Sequence, residues 1–467
     1  MSINKKKLPE FLATGEQARL IPVGSEGKKE GRATSVLLAN LSAVHEFAQV
    51  MFGAVGLRIG SRANIEVFTE IVFKDKDDSK KLRPDGLIIV NTGRSQWKAL
   101  VEAKIGNAEL DEQQIKDYLA LAKKYKIDAV ITLSNQYSAI PSHHPISFKK
   151  SDLKGVGLFH FSWMYILTEA ILLLKSMSVD DEDQRFLLNE MVRYYDHDSV
   201  GVSEFTSMNK EWKDITTAVR SGSTLSKTSD DVQNTVISWH QEARDLCLIM
   251  SRTLAVPVSL RLNRKHTNDP VARVKKDCED LVKTLALTCE LDIPNAVSPL
   301  KVTADLQRRT LDCSMSLNAP KDKQRASSRL NWLLRQLKQT DVEDVFIRAY
   351  TMGRGNNPQV KLSEVRENPD ALLVIEGNQI QPVAFDVILS RDLAGKFSGR
   401  NTFIQAVEET VKQFYIAAGQ CLEAWTPPAP KVKKIQSEDI HEVDEPEEVK
   451  LVQVKDPENR IEAISEK

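Results

Sequence analysis

Arg83-Pro84-Asp85-Gly86-Leu87-Ile88-Ile89-Val90 and Ala99-Leu100-Val101-Glu102-Ala103-Lys104-Ile105 are two apolar runs joined by a short polar turn. Each has the length and the aliphatic, β-branched content of a strand. Their charges set them apart. Asp85 opens the first run, and Glu102 and Lys104 sit two apart in the second, among residues that belong in an interior, where a charge needs a reason. A strand alternates faces, so Glu102 and Lys104 point one way while Val101, Ala103 and Ile105 point into the core.

The pairing of these strands follows from turn arithmetic. With Gly93-Arg94 as the two-residue turn of a hairpin, Thr92 faces Ser95 and Asp85 faces Glu102. With Asp77-Asp78 centring the preceding turn, Phe73 faces Leu82 and Glu70 faces Asp85. Directly opposed residues share a sheet face. In that register Glu70, Asp85, Glu102 and Lys104 form one polar cluster, and a slip of one residue would disperse it.

Outward from this hairpin the pattern is regular. Residues 1 to about 30 are polar and partly extended. Thr34–Val55 reads as a helix, with Leu37, Leu41, Val44, Ala48 and Met51 at three- and four-residue steps. Ile65–Phe73, Leu82–Val90 and Trp97–Ile105 read as strands, Ala108–Tyr125 as a helix, Asp128–Leu133 and Gly157–Phe161 as strands, and Trp163–Lys175 as a helix. This α, β, β, β, α, β, β, α order predicts one mixed α/β sheet flanked by helices over residues 1–175. Residues 176–255 read as a helical connector, with Asp183–Tyr195 and Gln233–Leu254 as its clear helices. Residues 256–426 read as an α+β domain for substrate or partner binding. Its strands are expected at Val258–Asn263, Leu311–Asn318, Val345–Tyr350, Ala371–Ile375 and Val383–Leu389, and its helices at Lys323–Leu337 and Thr402–Trp425, with Val271–Leu287 amphipathic. Beyond Pro427-Pro428-Ala429-Pro430, residues 427–467 carry acidic residues and almost no aromatics, the composition of a disordered tail.

Composition narrows the function classes. The 467 residues are 41% hydrophobic, and 64 Lys and Arg nearly cancel 65 Asp and Glu, so whole-chain charge names no partner. Any nucleic-acid surface must be a local patch. No uncharged apolar run is long enough for a bilayer, and the start has no apolar segment of signal type. Five scattered cysteines point to a reducing, cytoplasmic setting without disulfides or zinc spacing.

The clustered charges carry chemistry. Adjacent carboxylates repel, and burial raises their pKa values. A divalent cation relieves both costs. Mg²⁺, with Mn²⁺ as a substitute, prefers hard oxygen ligands and keeps several waters, which suits two or three carboxylates and a phosphate. Such a metal polarises a phosphodiester and acidifies a bound water. Lys104 is placed to orient that water or to neutralise charge developing on the phosphate.

Pro84-Asp85 followed by Glu102-Ala103-Lys104 resembles the PD-(D/E)XK nuclease superfamily, with its restriction-endonuclease-like fold, over residues 34 to 175. The resemblance implies that Asp85 and Glu102 bind Mg²⁺ and that Lys104 assists the attacking water. The expected activity is hydrolysis of DNA by a metal-bound water, leaving a 5′-phosphate and a 3′-hydroxyl. Gln114 and Tyr118, four apart on one helix face, resemble the Q-x-x-x-Y element of exonuclease-like branches; the plain reading is a surface Gln and a packing Tyr. The family often has a further acidic residue on its first helix. Glu46 is the candidate by position, and Glu70 competes as a metal ligand by register. The alternative is a nucleic-acid-binding or regulatory protein, stress- or defence-associated, on a degenerate nuclease fold.

Elsewhere, Lys321, Lys323, Arg325 and Arg329 form a basic run fit to track a phosphate backbone, or a solvated helix face. DNA is therefore the expected partner, with a homodimer allowed and no membrane. His143, His144 and His160 lack the spacing of zinc ligands and read as loop and core histidines.

Overall fold

Residues 86–91 and 96–103 pair as antiparallel neighbours, and the polar turn between them is closed by Thr92 N–H donating to the Ser95 carbonyl at 3.0 Å. The structure is a computed structural model that describes residues 8–21, 29–74, 82–93, 95–352 and 357–427. The first sheet runs in the order β1 (Leu12–Gln17), β2 (Asn64–Phe73), β3 (Gly86–Asn91), β4 (Gln96–Ala103), β5 (Ala129–Ser134) and β6 (Gly157–Ser162). β1 to β4 are antiparallel, and β4, β5 and β6 are parallel, so the sheet is mixed. Thr69 faces Gly86 and Gly86 faces Val101. Both ladders end at Gly86; counted one step further, Asp85 falls opposite Glu102 and Glu70 opposite Asp85, the register that the turn arithmetic expects, but Glu70 departs from the regular strand (φ 51°). The Asp77-Asp78 turn itself lies outside the described residues.

The two faces of the sheet bury different cores. Ile88, Val90, Val101 and Ala103 pack under α1 (Lys29–Ala43), α2 (His45–Ala54), α4 (Trp163–Lys175) and α5 (Glu182–Tyr195). Leu87, Ile89 and Leu100 pack under α3 (Glu112–Lys124). The stretch read as one helix over Thr34–Val55 is two, bent by 109° between Ala43 and His45. Val44 there is extended (φ −110°, ψ 104°), which lets the apolar stripe turn the corner of the sheet instead of running past it. α3 starts later than Ala108 because Asp111 caps it, accepting from Gln114 N–H. β1 is a strand inside the segment read only as partly extended.

Two further helices, α6 (Trp212–Arg220) and the 25-residue α7 (Asp230–Leu254), lead into the second half. There β7 (Ser259–Leu260), α8 (Arg264–Asn268), α9 (Pro270–Thr284), β8 (Ala286–Asp292), β9 (Leu300–Asp305), β10 (Thr310–Asn318), α10 (Ala326–Gln336), β11 (Val345–Tyr350) and β12 (Gln359–Lys361) follow. α11 (Leu362–Glu367), α12 (Asp370–Leu373), β13 (Val374–Ile375), β14 (Asn378–Gln379), β15 (Ala384–Asp392) and α13 (Arg400–Ala417) complete it. Seven strands pair antiparallel in the order β12-β11-β15-β10-β9-β8-β7. The strand expected at Ala371–Ile375 is a helical turn followed by a two-residue strand, since Leu372 and Leu373 both turn into the core. The one expected at Val258–Asn263 pairs over two residues only, because Asn263 caps α8 through His266 N–H. The amphipathic stretch 271–287 ends as a helix at Thr284 and reverses into β8.

Residues 1–425 form one compact unit and 426–467 a second, so the divisions expected at 175/176 and 255/256 fall within the first unit. The acidic tail expected over residues 427–467 falls outside the described residues save Pro427. All five cysteines are free, four of them buried. Among the described residues no single helix is long and apolar enough to cross a membrane.

Gly86 marks the closest approach of α1 to β3. A Cβ there would lie 2.6 Å from Leu38 Cδ1 and 3.4 Å from the Phe68 carbonyl and Val101 Cβ. Leu38 is fully buried and has nowhere to swing. Gly86→Ala is expected to cost about 1–3 kcal/mol, as overpacking of a filled core does, measured as a lower urea midpoint at unchanged slope.

Candidate active site

Asp85, Glu102 and Lys104 meet where β3 begins and β4 ends. Asp85 Oδ2 accepts from Ala103 N–H at 2.8 Å, so the carboxylate is tied to the neighbouring strand and does not point into solvent. By register Ala103 lies opposite Pro84, whose ring nitrogen has no proton to give to the ladder. The Asp85 carboxylate takes up the Ala103 N–H just where the regular β3–β4 pairing has ended. Glu102 is 2% exposed. Its Oε1 accepts from Lys104 Nζ at 2.6 Å, and its Oε2 is buried without a hydrogen-bond partner. The end of β4 is held from both sides: Lys104 N–H donates to the Leu133 carbonyl at 2.8 Å, and Trp163 Nε1 donates to the Lys104 carbonyl at 2.8 Å.

The charges are strongly perturbed. Burial, then the Glu102 charge, raises Asp85 to about 7, against the pull of the Ala103 N–H and of Lys104. Glu102 is also raised, chiefly by burial, although the Lys104 ammonium and Tyr118 pull the other way. Burial would lower Lys104, but the Glu102 hydrogen bond and charge, with Glu30 and Asp85, leave it raised and cationic.

Glu30 is the residue that the sequence reading missed. It lies in the first turn of α1, and its charge acts on Asp85, Glu102 and Lys104 alike. Apolar periodicity begins near Ala33, one turn after Glu30, so a helix traced from its apolar stripe starts too late. A start signal independent of burial was needed, such as an acidic residue favoured in a first turn.

The two expected acids stand apart. Glu46 is on α2, beyond the bend, and does not figure among the charges that perturb the trio. Glu70, although opposite Asp85 by count, has φ 51° and is exposed. The β1–β2 register slips there, from Thr14–Val72 to Glu16–Thr69, so Glu70 sits in a bulge that turns its side chain off the strand's alternation. Gln114 and Tyr118 do border the site. Gln114 Nε2 donates to the Tyr118 hydroxyl at 3.0 Å, and that hydroxyl donates to the Arg83 carbonyl at 3.2 Å, just ahead of Asp85. Tyr118 is buried, and burial followed by Glu102 raises its pKa.

The basic run is divided. Arg329 is half-buried and donates through Nε to the Lys323 carbonyl and through Nη1 to the Pro382 carbonyl, both at 2.7 Å, which pins a loop. Lys321 and Arg325 are exposed and Lys323 is partly so.

Among the described residues no group of three or more His, Cys, Asp or Glu is arranged to hold a metal ion. The donor set nonetheless fits Mg²⁺, which is commonly held by one or two carboxylates with waters and substrate phosphate completing the shell. The buried, unpartnered Oε2 of Glu102 is the atom such an ion would satisfy. The chain was compared with protein-family models, curated proteins and solved structures, and it matches none.

The raised pKa of Asp85 gives a signed expectation. Its folded value lies above the unfolded value near 4, so the folded state holds more protons between about pH 4 and 7. Metal-free stability therefore falls as pH rises through that window. Asp85→Asn keeps an acceptor for Ala103 N–H but removes the titration. Its melting temperature is expected to exceed the wild type's above pH 7 without metal, and Mg²⁺ is expected to raise the melting temperature of the wild type alone. Parallel pH profiles of the two proteins would contradict the assigned environment.

Proposed function

We propose that the chain is a divalent-metal-dependent nuclease of PD-(D/E)XK type that hydrolyses DNA, with a restriction-endonuclease-like fold in its first 175 residues. The observation that carries this reading is the buried Glu102 carboxylate, half satisfied by Lys104 at 2.6 Å and half unpartnered, beside an Asp85 held at 2.8 Å from the same strand. An unpartnered buried oxygen on a carboxylate whose other oxygen is held by a cation is costly. A binding site for a cation accounts for it.

Asp85 and Glu102 would hold the ion, with Glu30 adding negative charge from the end of α1. A bound divalent cation supplies positive charge to the scissile phosphate and makes a neighbouring water more acidic. Lys104 stays protonated at neutral pH, so it acts as a donor and a charge and not as a general base. Its ammonium, fixed by Glu102, faces the phosphate oxygens and orients the water for in-line attack on phosphorus. Cleavage of the P–O3′ bond leaves a 5′-phosphate and a 3′-hydroxyl. Tyr118 and Gln114 support the backbone ahead of Asp85 without touching the reacting atoms.

A cleavage assay on linear, circular and single-stranded DNA with Mg²⁺ or Mn²⁺ tests this. Asp85→Ala and Lys104→Ala are each expected to lose at least about 100-fold in rate, the scale of removing one charge stabiliser. Lys104→Ala is expected to retain metal binding by calorimetry, and Asp85→Ala to lose it. Equal cleavage by all three proteins would remove the site.

A further inference from the structure

Beside the candidate site, a cavity of about 200 Å³ opens between the loop after β5 and the helices α7 and α9. Its walls include Gln136, Tyr137, His143, His144, His240 and Arg273. It is smaller than the pockets that hold drug-sized ligands, and suits a single ring system.

The lining is rigid. His144 Nδ1 lies 3.0 Å from the Ile146 nitrogen and 3.1 Å from the Ile146 carbonyl, and its Nε2 lies 2.9 Å from Thr132 Oγ1. The Thr132 hydroxyl in turn faces His160 Nδ1 at 2.9 Å, and His160 Nε2 donates to the Gln136 carbonyl at 2.8 Å. Both imidazoles are held at both ring nitrogens and need carry no charge. Burial agrees, holding His144 near 4 and His160 near 3. On the far wall His240 Nε2 bonds Asp277 Oδ2 at 2.7 Å, and Arg273 lies 3.6 Å from the same carboxylate. His143 Nε2 bonds the Thr267 carbonyl at 2.8 Å.

The cavity therefore offers hydrogen bonds and flat rings but little net charge. A free phosphate would need cations that are not already paired. Gln136 lines the cavity, and its side-chain oxygen is buried with no partner. A carboxamide offers an acceptor and two donors on one edge, which matches the hydrogen-bonding edge of a base.

Its position adds the second argument. Thr132 is the β5 residue paired with Glu102, and His160 is the β6 residue paired with Thr132. Glu102, Thr132 and His160 form a row across three strands, about 10 Å from end to end at the usual strand spacing. The chain of hydrogen bonds that fixes Gln136 and His144 thus starts one strand from the candidate metal ligand.

We propose that this cavity receives one unstacked nucleobase of the nucleic-acid substrate, with the Gln136 amide on its edge and the histidine and tyrosine rings around it, so that strands with an unpaired base near the cut are preferred. The placement of the cut rests on the nuclease reading; the base pocket does not. Enzymes that bind an unstacked base read it by edge hydrogen bonds and ring contacts of this kind.

The test reads binding without metal, using the full chain and a single-stranded oligonucleotide that carries 2-aminopurine. Base insertion is expected to change the fluorescence on binding. Gln136→Leu is expected to weaken the oligonucleotide about tenfold, the scale of one base-edge contact, while blunt duplex affinity is unchanged. Val271→Trp gives an independent check, since Val271 lines the mouth and is 63% exposed, so the bulk blocks entry without disturbing a core. Free nucleosides are expected to compete only far above the oligonucleotide concentration. Equal oligonucleotide affinity in all three proteins overturns the proposal, as do nucleosides that bind as tightly as the oligonucleotide, which would make this a free-nucleoside site. A chain that shows these binding losses yet cuts nothing keeps the base pocket and loses the nuclease reading. A chain that cuts DNA with no Gln136 effect does the reverse.

Discussion

The hydrogen bond from Ala103 N–H to Asp85 Oδ2 is the constraint on which the site depends. The β3–β4 ladder ends at Gly86, and the Asp85 side chain continues it by accepting from Ala103 N–H. This fixes a carboxylate at the strand edge with almost no rotamer freedom and beside a second one. Both acids are raised by burial, and the Glu102 charge raises Asp85 further. The fold accepts that expense at the point where α1, pressed against Gly86 through Leu38, brings a third acid in its first turn. Local stability would be better served by apolar residues at these positions. Their clustering is the mark of a site, because perturbed charges with specific partners collect where chemistry is done.

Helix α7 ties this site to the second half of the chain. Most of its buried face belongs to the core beneath the antiparallel sheet, including Val236, Trp239, Leu246 and Met250, but Leu248 packs with the core of the first sheet. Gln241 on the same helix accepts from Tyr137 N–H at 3.4 Å, and Arg252 donates to Thr168 on α4 at 2.9 Å. The loop after β5 is therefore anchored by both halves. The cavity lined by Gln136 and His144 exists only because α7 and α9 close it, which gives the second half a direct hand in shaping what lies beside Glu102.

The sequence made the hairpin legible because three constraints coincided: the apolar alternation of β3 and β4, the turn at residues 93–94, and charges that had to share a face. One count then placed Asp85 opposite Glu102. The same counting misled at Glu70, since a bulge inserts a residue and breaks parity, and nothing in Asn64–Phe73 announces one. Glu30 was hidden for another reason: helix ends extend past the apolar stripe by which helices are recognised. Short strands of the second sheet were the least readable. β8 follows α9 after a single left-handed residue, Leu285 with φ 53°, so a helical apolar pattern runs straight into a strand pattern with no turn residue between them. The cavity was invisible altogether. His143 and His144 come from one loop, His240 from α7 and Arg273 from α9, and no spacing in the chain records that they meet.

A second buried acid shows what distinguishes the site from mere burial. Glu242 is fully buried, and neither of its oxygens has a partner. Burial raises its pKa well above the usual range, and Asp245, Glu408 and Glu204 raise it further; no cation is among the charges acting on it. Burial thus favours its neutral form, sealed within α7, and in that form its cost is that of two unsatisfied polar atoms and not of a charge. Glu102 is nearly as buried, but Lys104 at 2.6 Å, itself 17% exposed, keeps a charged partner against it and a route to solvent. Asp85, half-buried on the adjacent strand, supplies a second carboxylate. On the nuclease reading, a cation would meet two acids at Asp85 and Glu102. The difference lies in the neighbours: the last residues of β4 are buried on both faces, but they end beside Lys104, a partly exposed cation, whereas Glu242 sits in the middle of a 25-residue helix with no cation acting on it.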